Sequence, residues 1–184
     1  MILDAASSVL AERDPTEVTL EEIADAAGIS RALIYNYFAD RSALLESFGS
    51  KVSDELAVEV GEVLSSVEGL RAALEAAVRI HLTYARENPR AYRLAFTGST
   101  TARLDWIRRT SEQLGDGAEG RLAGAGLVAA IGTLVLDWCD SDISYERAVD
   151  IITSMLAGAY AGLDEAGISL TPTWSLPVGL HRSP

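Results

Sequence analysis

The sequence predicts an all-α chain, and three observations carry that prediction. Apolar residues recur at spacings of three and four along nearly all of the 184 residues. No segment sustains the period-two alternation of a half-buried strand. Valine and isoleucine are scattered among alanine, leucine and glutamate instead of clustering in strand-length runs.

Taken in order, the first helix is predicted over 2–13, with Leu3, Ala6, Val9 and Leu10 on one face. Asp14-Pro15 ends it, because the residue before a proline is pushed out of the helical region. Thr19 with Glu22 three residues on reads as a capping box opening a second helix over 20–27, which Gly28 stops in a left-handed C-cap. Ser30 caps a third over 31–38, and Asp40 caps a long fourth running to about residue 65. After the break at Glu68-Gly69, a helix over 70–87 places Leu74, Ala77, Val78, His81 and Leu82 on one side. Pro89 suits the first turn of a short helix reaching about Phe96. Further helices are predicted over 102–114, 121–139 and 145–166, the last capped by Ser144, and residues 169–184 read as a tail.

Composition excludes several classes. With one cysteine, Cys139, there is no internal disulfide framework and no cysteine zinc site, which fits a reducing cytoplasm. The opening residues lack the basic and apolar regions of a signal peptide. The most apolar stretch, 122–138, lacks basic flanks and reads as a buried helix rather than a membrane span, so no membrane association is expected. Only two histidines are present, with no nucleophile elbow, phosphate loop or His-Glu-x-x-His spacing, so the chain is expected to be neither an enzyme nor a metal or cofactor carrier. The formal net charge of −12 argues against nucleic acid, since phosphate neutralisation needs Lys and Arg.

Against that stands the local pattern from Thr19 to Phe38. Two short helices meet at Gly28-Ile29-Ser30, with Ile23, Ala24, Ala27, Ile29 and Ile34 supplying the contacts that hold them at an angle. This is helix-turn-helix patterning, in which the second helix enters the major groove by its N-terminal end. Leu33, Ile34 and Phe38 are assigned inward, leaving Arg31, Ala32, Tyr35, Asn36 and Tyr37 to face out. Arginine pairs with guanine, alanine meets a thymine methyl, and tyrosine hydroxyls reach phosphates. Residues 1–50 nonetheless hold three basic residues against nine acidic ones, a formal charge of −6. Two ordinary core helices with exposed polar residues would show much of the same spacing. A helical interaction protein that keeps a helix-turn-helix but no longer binds DNA is the alternative.

The run from Thr19 to Leu45 resembles the signature of the tetracycline-repressor (TetR) family. Its marks are Ile23-Ala24-x-x-Ala27-Gly28-Ile29-Ser30, then Tyr35-x-Tyr37-Phe38, then a basic residue, Arg41, and Leu44-Leu45. The resemblance covers about the first quarter of the chain. It implies phosphate contacts by Thr19, Ser30 and Tyr37, and base-edge contacts by Arg31, Ala32 and Tyr35, with Asn36 beside them. Arg41 stands where the family usually has a phosphate-binding lysine, a role arginine also fills. The implied architecture is a helix-turn-helix DNA-binding domain over 1–48, a helical ligand-binding and dimerisation domain over 49–168, and the tail. The implied partners are double-stranded operator DNA, a small-molecule effector and a second copy of the chain.

In such regulators the last two long helices of each subunit form a four-helix bundle with the partner. Ala125, Ala129 and Gly132 permit close helix approach, and Val149, Ile152, Leu156 and Tyr160 repeat as a packing seam. For the effector pocket, the candidates are the aromatic and polar residues of the middle and late helices: His81, Tyr84, Tyr92, Phe96, Trp106, Trp138 and Cys139. Apolar walls with few polar groups imply a mostly apolar ligand.

Overall fold

A computed structural model describes residues 1–98, 103, 104, 107, 108, 111 and 117–168, and no strand occurs among them. The predicted helix over 102–114 and the tail fall largely or wholly outside these residues. The described helices are α1 (Ile2–Glu12), α2 (Leu20–Ala26), α3 (Arg31–Tyr37), α4 (Arg41–Leu64), α5 (Leu70–Glu87), α6 (Pro89–Arg93), a π-helical turn (Leu94–Gly98), α7 (Gly117–Cys139) and α8 (Tyr145–Glu165).

The capping chemistry legible in the sequence forms as expected at three helix starts. Thr19 accepts from the Glu22 backbone N–H while the Glu22 carboxylate accepts from the Thr19 backbone N–H. Ser30 accepts from Leu33 N–H and Asp40 from Ala43 N–H. Gly28 takes φ +66° and closes α2: its N–H bonds to the Asp25 carbonyl and that of Ile29 to the Ala24 carbonyl. Ser144 precedes α8 as predicted, but its side chain makes no capping hydrogen bond.

Two boundaries differ from expectation. α7 starts at Gly117, four residues before the predicted start, with Gly117 at φ +74° opening the helix. The helix after Pro89 does not run to Phe96 as a regular α-helix. It widens into a π-helical turn at Leu94, where the Thr97 hydroxyl donates to the Arg93 carbonyl at 2.7 Å and competes for the helical acceptor.

α1 to α3 pack around Ala6, Leu10, Val18, Ile23 and Ile34, all essentially inaccessible. α4 joins this group through Leu44 and Phe48 and the next through Val52 and Leu56. The expected boundary between residues 48 and 49 therefore lies inside one continuous helix. α5 is central to the second part, packing against α4, α6, α7 and α8. Tyr145 fastens the α7–α8 turn to it. Its hydroxyl bonds with Thr83 Oγ1 at 2.9 Å and with the Arg79 carbonyl at 3.2 Å. Trp138 meets its ring edge-on, and the Arg86 guanidinium lies over it at 4.9 Å.

Two glycines mark close approaches to the π-helical turn. A Cβ on Gly49 of α4 would lie 3.4 Å from the Ala95 Cα, and one on Gly132 of α7 would lie 2.7 Å from Phe96 Cδ1. The turn is thus wedged between the helix that leads to the N-terminal group and the apolar helix α7.

Candidate functional site

Ile34 is fully buried and anchors α3 on α2, so the helix presents its opposite side outward. At about 100° per residue, Ala32 and Asn36 stand roughly opposite Ile34, flanked by Leu33 on one side and Tyr35 on the other. All seven residues of α3 except Ile34 are exposed. This places Arg31, Ala32, Tyr35, Asn36 and Tyr37 outward as expected, with Tyr37 67% exposed. Leu33 was assigned to the inward group and is 38% exposed. A seven-residue helix resting on one anchor has too narrow an inner stripe to cover it.

α3 contains no acidic residue, alone among α1 to α4, in a stretch where residues 1–50 hold nine. Several carboxylates of the N-terminal group are engaged in local hydrogen bonds. Asp14 binds the Thr16 backbone and hydroxyl, Glu22 serves Thr19 and Arg13, and Asp40 caps α4. Of the three cations, Arg13 pairs with Glu22 and Arg41 donates to the Thr16 carbonyl. Arg31 is exposed, and its charge acts on the neighbouring Glu21 carboxylate and Tyr35 hydroxyl.

Glu21 belongs to this surface, and sequence reasoning missed it. Its carboxylate accepts the Tyr35 hydroxyl at 3.0 Å across the two helices. The Tyr35 pKa is raised by that bond, and the Glu21 pKa is lowered by its backbone hydrogen bond and then by Tyr35. A groove of about 330 Å³ beside them is lined by Thr16, Thr19, Glu21, Tyr35, Asp40 and Arg41. Thr19 and Arg41 thus share one concavity with Tyr35, although 22 positions separate the first two in sequence. Heptad-like patterning has no term for such a meeting.

In the second part, the structure gathers His81, Tyr84, Tyr92 and Phe96. His81 is 3% exposed and its Nδ1 lies 2.9 Å from the Tyr92 hydroxyl. The Tyr92 and Phe96 ring centroids are 4.4 Å apart, and those of His81 and Phe96 5.8 Å. Burial pushes the His81 pKa down to about 4, so the ring is neutral near pH 7. Burial also raises the Tyr92 pKa well above its ordinary value and that of Tyr84 to about 12. The result is an uncharged aromatic cluster holding one polar pair. Trp138 belongs elsewhere: it donates to the Ile143 carbonyl at 2.8 Å and meets Tyr145 edge-on. Cys139 is half-buried, and Trp106 lies outside the described residues.

The predicted partner seam needs correction. Val149, Ile152 and Leu156 are at most 3% exposed within the single chain, and Gly132 is buried against Phe96. They close the subunit's own core, because a three-four repeat marks an apolar stripe without saying what covers it. Ala125, Ala129 and Tyr160 remain half-buried. The outward sides of α7 and α8 instead carry Leu122 (78% exposed), Met155 (53%) and the open positions Gly126, Gly158 and Gly162. α7 is long and apolar enough to cross a membrane, with mean hydropathy 1.8 over its most apolar window and 28% of that window buried.

The model of bacterial regulatory proteins of the tetR family matches residues 2–48. An HTH-type transcriptional regulator of Mycobacterium tuberculosis, Rv1255c, is 30% identical over 175 residues, covering 90% of this chain and 76% of the relative. The fold is that of the TetR-family repressor AlkX from Dietzia sp., implicated in n-alkane biodegradation (TM-score 0.65, 20% identity, 89% of this chain and 94% of that one). It is also that of the regulator FadR from Bacillus subtilis in complex with stearoyl-CoA (TM-score 0.63, 19% identity, 88% and 97%). Helix-turn-helix geometry, family match and near full-length relative agree: the chain is a transcription regulator of the TetR family and not an enzyme.

Proposed function

We propose that this regulator is a cytoplasmic repressor that binds a pseudo-palindromic operator as a homodimer and is released or modulated by a small, mostly apolar molecule. The observation that carries the DNA reading is α3: an acid-free, outward-facing helix with the exposed Arg31 in its first turn. In this reading Arg31, Ala32 and Tyr35 meet base edges with Asn36 beside them, while Thr19, Ser30, Tyr37 and Arg41 hold phosphates.

Dimerisation is supported by the apolar outward sides of α7 and α8, which a second copy would cover around a two-fold axis. That symmetry suits two reading heads on a pseudo-palindrome. The ligand reading rests on the uncharged cluster of His81, Tyr84, Tyr92 and Phe96, and similar regulators bind stearoyl-CoA or are implicated in alkane use. The π-helical turn carries Phe96 on one side and touches Gly49 of α4 on the other. A ligand that repacks Phe96 would therefore bias α4 and the spacing of the heads, to the extent that it prefers one arrangement.

The test is selection of genomic DNA fragments by the purified protein beside an Arg31→Ala/Tyr37→Ala variant. Enrichment of a pseudo-palindrome by the intact protein alone supports the reading. Enrichment by neither refutes it. The acidic balance of the N-terminal group favours one competitor, a helical interaction protein that no longer binds DNA. Titration with nonspecific duplex at rising salt separates the two, since phosphate neutralisation makes affinity fall steeply with salt.

A further inference from the structure

The outward surface of α3 is asymmetric. On the flank beside Tyr35 the groups are polar and partly satisfied, since Glu21 accepts the Tyr35 hydroxyl at 3.0 Å. The opposite flank carries Leu33 in the first turn, 38% exposed although its neighbour Ile34 is completely buried, with Tyr37 one turn further on. Leu33 is fixed in place: the Ser30 hydroxyl oxygen accepts its backbone N–H at 3.2 Å in the first turn of the helix. Its side chain stands in the same turn as Arg31 and Ala32, with no acidic residue anywhere on α3. An exposed leucine is unremarkable on an ordinary surface. At the N-terminal end of a helix aimed into a major groove, it meets a floor whose one apolar feature is the C5-methyl group of thymine.

We propose that Leu33 is a specificity-determining residue of the reading head, packing against the methyl group of one thymine in each half-site. The inference rests on α3 being the recognition helix. It assigns to Leu33 a thymine other than the one facing Ala32, because the two side chains leave the helix on different bearings.

The experiment uses the full-length protein and the duplex it enriches from a random pool. Each thymine of that duplex is replaced in turn by uracil, which removes the methyl group and leaves the hydrogen-bonding edge intact. Affinity is read by fluorescence anisotropy at fixed salt. Loss of the methyl at that thymine in one half-site is expected to weaken binding about four-fold, the worth of one buried methyl group, and loss in both half-sites about fifteen-fold. Leu33→Ala is expected to bind the thymine duplex more weakly and to be indifferent to uracil at that position alone. Leu33→Met keeps an apolar contact and is expected to retain the sensitivity, as is Arg31→Ala, which reads a different base. The inference is overturned if every thymine tolerates uracil, or if Leu33→Ala keeps the full uracil effect at every position. Failure of the intact protein to enrich any sequence overturns the DNA reading itself, and Leu33 with it. Enrichment of a sequence indifferent to thymine methyls sinks the Leu33 assignment alone.

Discussion

Acidification destabilises this fold through one buried ring, that of His81. The side chain is 3% exposed, and burial pushes its pKa from 6.5 down to about 4. The unfolded chain therefore binds a proton that the folded chain refuses between those two values. Stability rises with pH across that window and falls as pH drops through it. With a folded pKa of about 4 and an unfolded one of 6.5, the loss between about pH 7.5 and pH 5 is roughly 2 kcal/mol. The window is informative because the depressed carboxylates, such as Glu22 and Glu146, act below it: their contribution disappears only as pH falls below the ordinary carboxylate range. The assay is urea unfolding at fixed protein concentration over this pH range, comparing the intact protein with His81→Gln. The variant has its own cost in packing, but that cost is constant with pH, so the readout is the slope. If His81→Gln loses as much stability between about pH 7.5 and pH 5 as the intact protein, His81 is not the group responsible and the reasoning fails.

Three further outcomes follow from the geometry. Glu21→Gln removes a carboxylate from the DNA-facing side and loosens its hold on Tyr35, so affinity for specific and nonspecific duplex is expected to rise several-fold at low salt; unchanged or weaker anisotropy titrations would show that Glu21 instead positions Tyr35 productively. Gly132→Ala drives a Cβ to 2.7 Å from Phe96 and is expected to cost about 1–3 kcal/mol by thermal unfolding, whereas Gly126→Ala, with nothing within 4 Å, leaves the isolated subunit's packing untouched. Met155→Glu combined with Leu122→Glu is expected to give monomers by light scattering while circular dichroism stays helical; a persistent dimer would place the interface elsewhere.

The N-terminal head was nearly all legible in the sequence, because its determinants are local. A capping box needs only Thr19 and Glu22 at a spacing of three, a left-handed stop needs Gly28, and a buried anchor needs Ile34 at the right phase. Their positions in the fold match these expectations. The long helices α5, α7 and α8 were legible for the same reason, apart from the start of α7, as was the buried side of α5. What the sequence could not decide was how neighbouring faces are covered. Leu33 and Val149 look alike as apolar members of a helical stripe, yet one is exposed and the other is buried. The difference depends on which helices lie opposite, and no spacing encodes that. The Glu21–Tyr35 bond, the His81–Tyr92 pair and the meeting of Gly132 with Phe96 bring together residues 14, 11 and 36 positions apart. Periodicity reports the phase of a residue on its own helix, whereas contacts of this kind arise from the crossing of two helices, which only tertiary packing sets.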